Sequence, residues 1–158
     1  MDEKMILRCV LVTAVFQIGA TGTLAKCDPK VLCNAAWWTT AEAEDVQGEI
    51  VDLGFINSRD WKGFTPLHYA AAYGDPNLMA VLLQAGANAN DRDNTMAQTP
   101  LHWAAHTGTS EAILLLIAAG ADLVSKDAID RPPAYFALRN EKLINTAGFA
   151  AIVNGSKN

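Results

Sequence analysis

His102 and His106 stand four residues apart. On a helix this spacing puts two imidazoles on one turn, where they could hold a metal ion. In the hydrolytic zinc motif of that spacing a glutamate follows the first histidine and serves as the base; here Trp103 takes its place. Cys27 and Cys33 have five residues between them, with no further cysteine and no histidine nearby, so half a zinc site is the weaker reading of the pair. The carboxylates scatter along the chain and form no pair that must converge. No glycine-rich phosphate loop and no G-x-S-x-G elbow is present. Neither a catalytic residue nor a metal or other cofactor is expected.

The elements that position these residues repeat. Thr65–Ala71 reads TPLHYAA, Thr99–Ala105 reads TPLHWAA, and a degraded copy, PPAYFAL, starts at Pro132. Thr65 or Thr99 sits where a helix begins, its hydroxyl placed to cap orphan N–H groups. Pro66 or Pro100 follows at the first helical position, where its missing N–H costs nothing. Leu67, Ala70 and Ala71, like Leu101, Ala104 and Ala105, give an apolar stripe of small residues along which neighbouring helices can approach closely. Gly74 and Gly108 end these short helices. Second helices follow at Asn77–Gln84 and Glu111–Ala118, apolar over most of their surface, and end at Gly86 and Gly120. Polar stretches, 88–93 and 122–127, lead into the next copy.

This pattern closely resembles the ankyrin repeat, over about residues 34–152. The carriers are T-P-L-H-x-A-A, the glycine before the second helix, L-L-x-x-G-A after it, and N-x-R-D before the next copy. The resemblance implies an all-α solenoid of about four helix–turn–helix repeats with β-hairpin-like tips, at about 34–63, 64–97, 98–130 and 131–153, and a disordered tail at 154–158. Trp37 and Trp38 then read as cap and core residues of the first repeat. His68 and His102 occupy the TPLH position, where the imidazole is expected to bond threonine and backbone groups and join adjacent repeats. The frame is therefore Thr65, Pro66, Leu67, His68, Thr99, Pro100, Leu101 and His102. His106 is left as an exposed residue of the concave face.

The resemblance also implies where a partner would touch: the tips and the inner face of the first helices. Those positions are Trp61, Lys62 and Phe64; Asn94, Thr95, Met96 and Gln98; Ile129 and Arg131; and on the inner face Tyr73, His106 and Thr107, with Arg139 and Asn140 at the corresponding places in the last copy. Exposed aromatics are the residue types that dominate interface energies. Three departures stand out. The second tip has one extra residue; Ala97 and Asp130 replace the turn glycine present at Gly63; and a residue is missing after Gly54, where Phe55 replaces a small one. Ala97 and Asp130 would strain a left-handed turn, so reshaped tips are expected there.

Composition sets the remaining bounds. A chain of 158 residues, half of them apolar, can build one packed domain. A net charge of −5 and a pI near 5.0 argue against nucleic acid as a partner. The acidic segment Glu42, Glu44, Asp45, Glu49 and Asp52 reads as a solvated face. Lys4 and Arg8, the apolar run Cys9–Ile18 and the small residues of Thr23-Leu24-Ala25 read as a secretory signal peptide over residues 1–25, too short to span a membrane. Export makes a Cys27–Cys33 disulfide the expected state, closing a short loop for roughly 2–3 kcal/mol. The domain is then 26–153, with no membrane contact after cleavage, a monomer, and periplasmic rather than secreted. The function expected is binding of a protein partner. A secreted effector acting on a host protein shares that fold. A metal-binding or hydrolytic protein using His102 and His106, and a purely structural domain, are the readings from other classes.

Overall fold

The computed structural model describes residues 56–107 and 109–156. The expected signal segment, Cys27 and Cys33, the helices expected from Asn34 and the turn residue Gly108 lie outside the described residues. Among the described residues six helices form three pairs: α1 (Pro66–Tyr73) and α2 (Pro76–Gln84), α3 (Pro100–Thr107) and α4 (Ser110–Ala118), α5 (Pro133–Ala137) and α6 (Ala147–Gly155). The odd-numbered helices pack in one row, α1 on α3 and α3 on α5. The even-numbered helices form a second row behind them.

Local chemistry starts each helix. α1, α2 and α5 carry proline in the first turn. Asp75 caps α2 by accepting from the N–H groups of Asn77 (2.9 Å) and Leu78 (3.2 Å). Thr109 and Thr146 do the same for α4 and α6 through Ala112 and Phe149. Gly74, at φ +69°, ends α1 in the left-handed conformation.

The core lies between the rows. Ala70, Ala71, Ala104, Ala105 and Ala137 have no exposed surface, so the first helices meet almost backbone to backbone. Leu67, Leu78, Met79, Leu82, Leu101, Ile113, Leu116, Leu143 and Ile152 fill the space behind them. Each such side chain is worth about 1.5–3 kcal/mol of burial. The last pair extends further than expected: α6 continues through Gly155, beyond the expected boundary at 153, because Ile152 is fully buried and anchors it.

Two asparagines stitch the loops behind the helices. Asn57 donates to the Gly86 carbonyl (3.3 Å) and accepts from Asn88 N–H (2.9 Å). Asn90 repeats this with Gly120 (3.0 Å) and Asp122 (2.8 Å). Among the described residues there is no strand, and no helix is long and apolar enough to cross a membrane.

Candidate functional site

The histidines of the two TPLH copies are fixed by three bonds each. His68 Nδ1 accepts from Thr65 N–H (3.1 Å) and lies 2.8 Å from the Thr65 hydroxyl; its Nε2 lies 3.1 Å from the Gln98 carbonyl. His102 repeats the set with Thr99 and the Arg131 carbonyl. A carbonyl only accepts, so Nε2 carries the proton; an amide N–H only donates, so Nδ1 is bare. Both rings are therefore neutral in the fold. Burial pulls both pKa values below the ordinary histidine value, against the raising effect of the carbonyl bonds. Each ring bonds forward into the next repeat. With both nitrogens engaged, His102 has no lone pair to offer a metal beside His106.

Three aspartates organise the tips, at Asp60, Asp93 and Asp127. Asp60 Oδ1 accepts from the N–H groups of Lys62 (2.9 Å) and Phe64 (2.8 Å). Asp93 Oδ1 accepts from Thr95 N–H (2.9 Å), the Thr95 hydroxyl (2.7 Å) and Met96 N–H (2.8 Å). Asp127 Oδ1 accepts from Ile129 and Arg131 N–H, both at 3.0 Å. The second carboxylate oxygen takes a donor from the following helix, Tyr69 OH for Asp60 (2.8 Å) and Trp103 Nε1 for Asp93 (3.3 Å). In the third repeat that position is Phe136, which has no donor. Arg131 replaces it, with Nε at 2.8 Å and Nη2 at 2.7 Å from Asp127 Oδ2, and lays its guanidinium 4.7 Å from the centre of the Phe136 ring. Burial raises the pKa of Asp93 and Asp127, but these hydrogen bonds outweigh it, and both carboxyls lie below the ordinary range. The sequence signal was available, since Asp60, Asp93 and Asp127 recur at the repeat period.

Each turn is closed by the aspartate N–H, for example Asp93 N–H to the Gln98 carbonyl (2.9 Å), with a second bond back to the aspartate carbonyl from Gly63 (3.0 Å) and Asp130 (3.1 Å) in the first and third, and without a strand. Successive tips are joined by Asn94 N–H to Lys62 (2.8 Å) and Ala128 N–H to Met96 (2.8 Å). The second tip is reshaped in closing five residues after its aspartate where the others close after four, but the backbone of Ala97 and Asp130 is not displaced. Both hold the left-handed conformation, at φ +54° and +63°, as Gly63 does at +81°. The aspartate bonds hold the turn against the strain.

The residues expected to touch a partner divide into two groups. Trp61 is 81% exposed, with Lys62 Nζ 4.7 Å over its ring. Tyr73, Asn94, Thr95, His106 and Ile129 are also exposed, although the Thr95 hydroxyl serves its own turn. Met96 is half-buried. Four others are engaged within the fold. Phe64 is half-buried against Tyr69 and Trp103, its ring centre 5.5 and 5.2 Å from theirs, because the next first helix brings Trp103 against it. Gln98 gives its carbonyl to His68 and Asp93, and its amide to Asp127 (3.4 Å). The Thr107 hydroxyl donates to the Ala72 carbonyl (2.7 Å), tying α3 to the end of α1. Arg131 is held by Asp127. The inner-face residue Asn140 likewise donates to the carbonyls of Ala105 (3.2 Å) and His106 (3.1 Å). These side chains join repeat to repeat.

Between α3 and α5 lies an open depression of about 270 Å³, lined by His106, Arg131, Tyr135, Phe136 and Arg139. Arg139 stacks 3.7 Å from the centre of the Tyr135 ring and donates to the Tyr135 carbonyl (3.1 Å). His106 meets Phe136 edge-on at 5.8 Å. Sequence reasoning missed Tyr135 and Phe136, whose copy is too degraded to mark them as site residues. Among the described residues no group of three or more His, Cys, Asp or Glu side chains gathers as a metal site would need.

A family model of ankyrin repeats, in three copies, matches residues 32–127. No curated protein matches the chain. The family match ends before α5 and α6, yet this pair packs on its neighbours as the earlier pairs do. Ankyrin repeats in general mediate protein–protein interaction.

Proposed function

This chain belongs to the ankyrin-repeat family, and from that premise we propose that it recognises one partner protein through its exposed tips and first-helix face. Such proteins are typically non-enzymatic scaffolds. The observation that carries the reading is Trp61, a large aromatic left 81% exposed at the first tip, together with Tyr73, 46% exposed at the end of α1. Apolar surface of that kind is tolerated where a partner covers it, and such residues supply much of an interface's energy. Lys62, Asn94, Thr95, Met96, His106 and Ile129 complete the proposed surface. Phe64, Gln98, Thr107 and Arg131 serve it indirectly by holding the tips and helices in register.

The partner is proposed to be met outside the cytoplasm. The signal-like segment over residues 1–25 and the Cys27, Cys33 pair support export, to a periplasm rather than a medium, and the protein is proposed to act there as a monomer. Pull-down from that compartment with the wild type and a Trp61→Ala/Tyr73→Ala variant tests the surface. Both side chains are exposed, so the variant should melt where the wild type does and lose the captured protein. Capture unchanged by the double substitution would sink the assignment.

A further inference from the structure

The geometry points to a carboxylate seat between α3 and α5: the depression lined by His106, Arg131, Tyr135, Phe136 and Arg139 receives one glutamate or aspartate side chain from an extended acidic segment of the partner protein. This rests on the reading of the first-helix face as the recognition surface and adds the chemistry of what that face selects.

Arg139 is the residue that fixes the chemistry. Its guanidinium carbon lies 3.7 Å from the centre of the Tyr135 ring, and one nitrogen is tied to the Tyr135 carbonyl. No carboxylate pairs with it among the described residues. A planar fork immobilised on a ring is prepared for an anion, because little side-chain entropy is lost when the anion arrives. The other guanidinium in the wall contributes no net charge, since Asp127 lies 2.7 Å from it and cancels it. The seat therefore presents one uncompensated positive charge from its guanidinium groups. One carboxylate balances that charge, whereas a dianionic phosphate brings twice as much. His106 adds a polar ring on the opposite wall, and Phe136 supplies an apolar floor between them.

Position along the row gives the segment a direction. Ala72, His106 and Arg139 occupy the same place in successive copies, seven residues after Thr65, Thr99 and Pro132, so they form one column across α1, α3 and the end of α5, and Tyr73 follows Ala72 at its first end. A peptide lying along this column meets a guanidinium at the last repeat and an exposed aromatic ring at the first described one. An acidic residue then sits over Arg139 and an apolar residue over Tyr73.

The test is an NMR titration of the isotope-labelled full chain with acetyl-Ala-Glu-Ala-amide, its glutamine counterpart and its phosphoserine counterpart. The glutamate peptide should shift the Arg139 Nε–H and Tyr135 ring signals. The glutamine peptide should need roughly tenfold or more higher concentration, the ratio set by losing one charge-assisted hydrogen bond. Arg139→Gln should abolish the glutamate-specific response and leave the spectrum elsewhere intact. Arg139→Lys, which keeps the charge without the planar fork, should weaken it severalfold. Three results would overturn the seat: equal response to glutamate and glutamine, tighter binding of phosphoserine, or glutamate shifts that survive Arg139→Gln. Failure here, with partner capture still lost in Trp61→Ala/Tyr73→Ala, removes the carboxylate seat alone. Capture that persists in that variant removes the recognition surface itself.

Discussion

At the scale of single residues, the two buried histidines make stability depend on pH in a calculable direction. Each is neutral in the fold with its pKa lowered, and unfolding releases it to titrate near 6.5. Stability is fully present above that value. It falls with pH below it, until the folded pKa values are reached. Two such groups give a slope of up to about 2.7 kcal/mol per pH unit. Urea unfolding between pH 7.5 and 5 should show this loss, and His68→Asn, which removes one titrating ring, should reduce the slope. An unfolding midpoint that stays constant over that range would contradict the assignment. The aspartate turns yield a second expectation. Trp103→Phe leaves Asp93 Oδ2 without its indole donor, reproducing the third repeat without its arginine, and should cost about 1–3 kcal/mol. Gln98→Arg places a guanidinium where Arg131 stands in the third repeat. In a double-mutant cycle it should recover part of that loss, while Gln98→Arg alone should not stabilise. The TPLH histidines were legible in the sequence as scaffold because their motif is specific. The exchange of Trp103 for the Phe136–Arg131 pair was not, since it joins two changes that look unrelated along the chain.

Equivalent positions in different elements can want opposite residues. Gly63, Ala97 and Asp130 all hold the left-handed turn, and at Gly63 the next tip also leaves no room for a Cβ. A Cβ there would come within 2.7 Å of the Asn94 backbone nitrogen. Gly63→Ala should therefore destabilise, by about 1–3 kcal/mol for the backbone strain, with more added by the clash. Ala97→Gly should do the reverse and stabilise by about 0.5–1 kcal/mol, since glycine relieves the left-handed strain. Thermal melts of the two variants should move in opposite directions; a shared direction would mean that φ does not govern these turns. The sequence marked Ala97 and Asp130 as departures correctly, yet misjudged their result. Departure from glycine changes the energy of a turn, while the aspartate bonds and the neighbouring tip decide its shape.

Across the whole molecule, stability is shared between neighbouring pairs rather than held by one centre. The last pair shows this best, because it lies beyond the family match and carries the weakest motif, yet Phe136, Ala137, Leu143 and Ile152 are buried. A chain ended after Asp127 would uncover the α3 and α4 faces that this pair covers. Its melting temperature should fall by more than either point substitution at Gly63 or Trp103 produces; a truncated chain that melts like the full one would show the pair to be dispensable. The sequence by itself determined the helices, their order and the two scaffold histidines, because these depend on local spacing and on a motif that repeats intact. Tertiary structure decided which exposed-looking residues are free. Phe64, Gln98 and Thr107 read as contact positions along the chain, but their partners Trp103, Asp127 and Ala72 sit about one repeat away, and Arg131 is taken up by Asp127 because Phe136 offers that carboxylate no donor. It also assembled the depression of His106, Tyr135 and Arg139, whose members come from helices that meet only when the pairs stack.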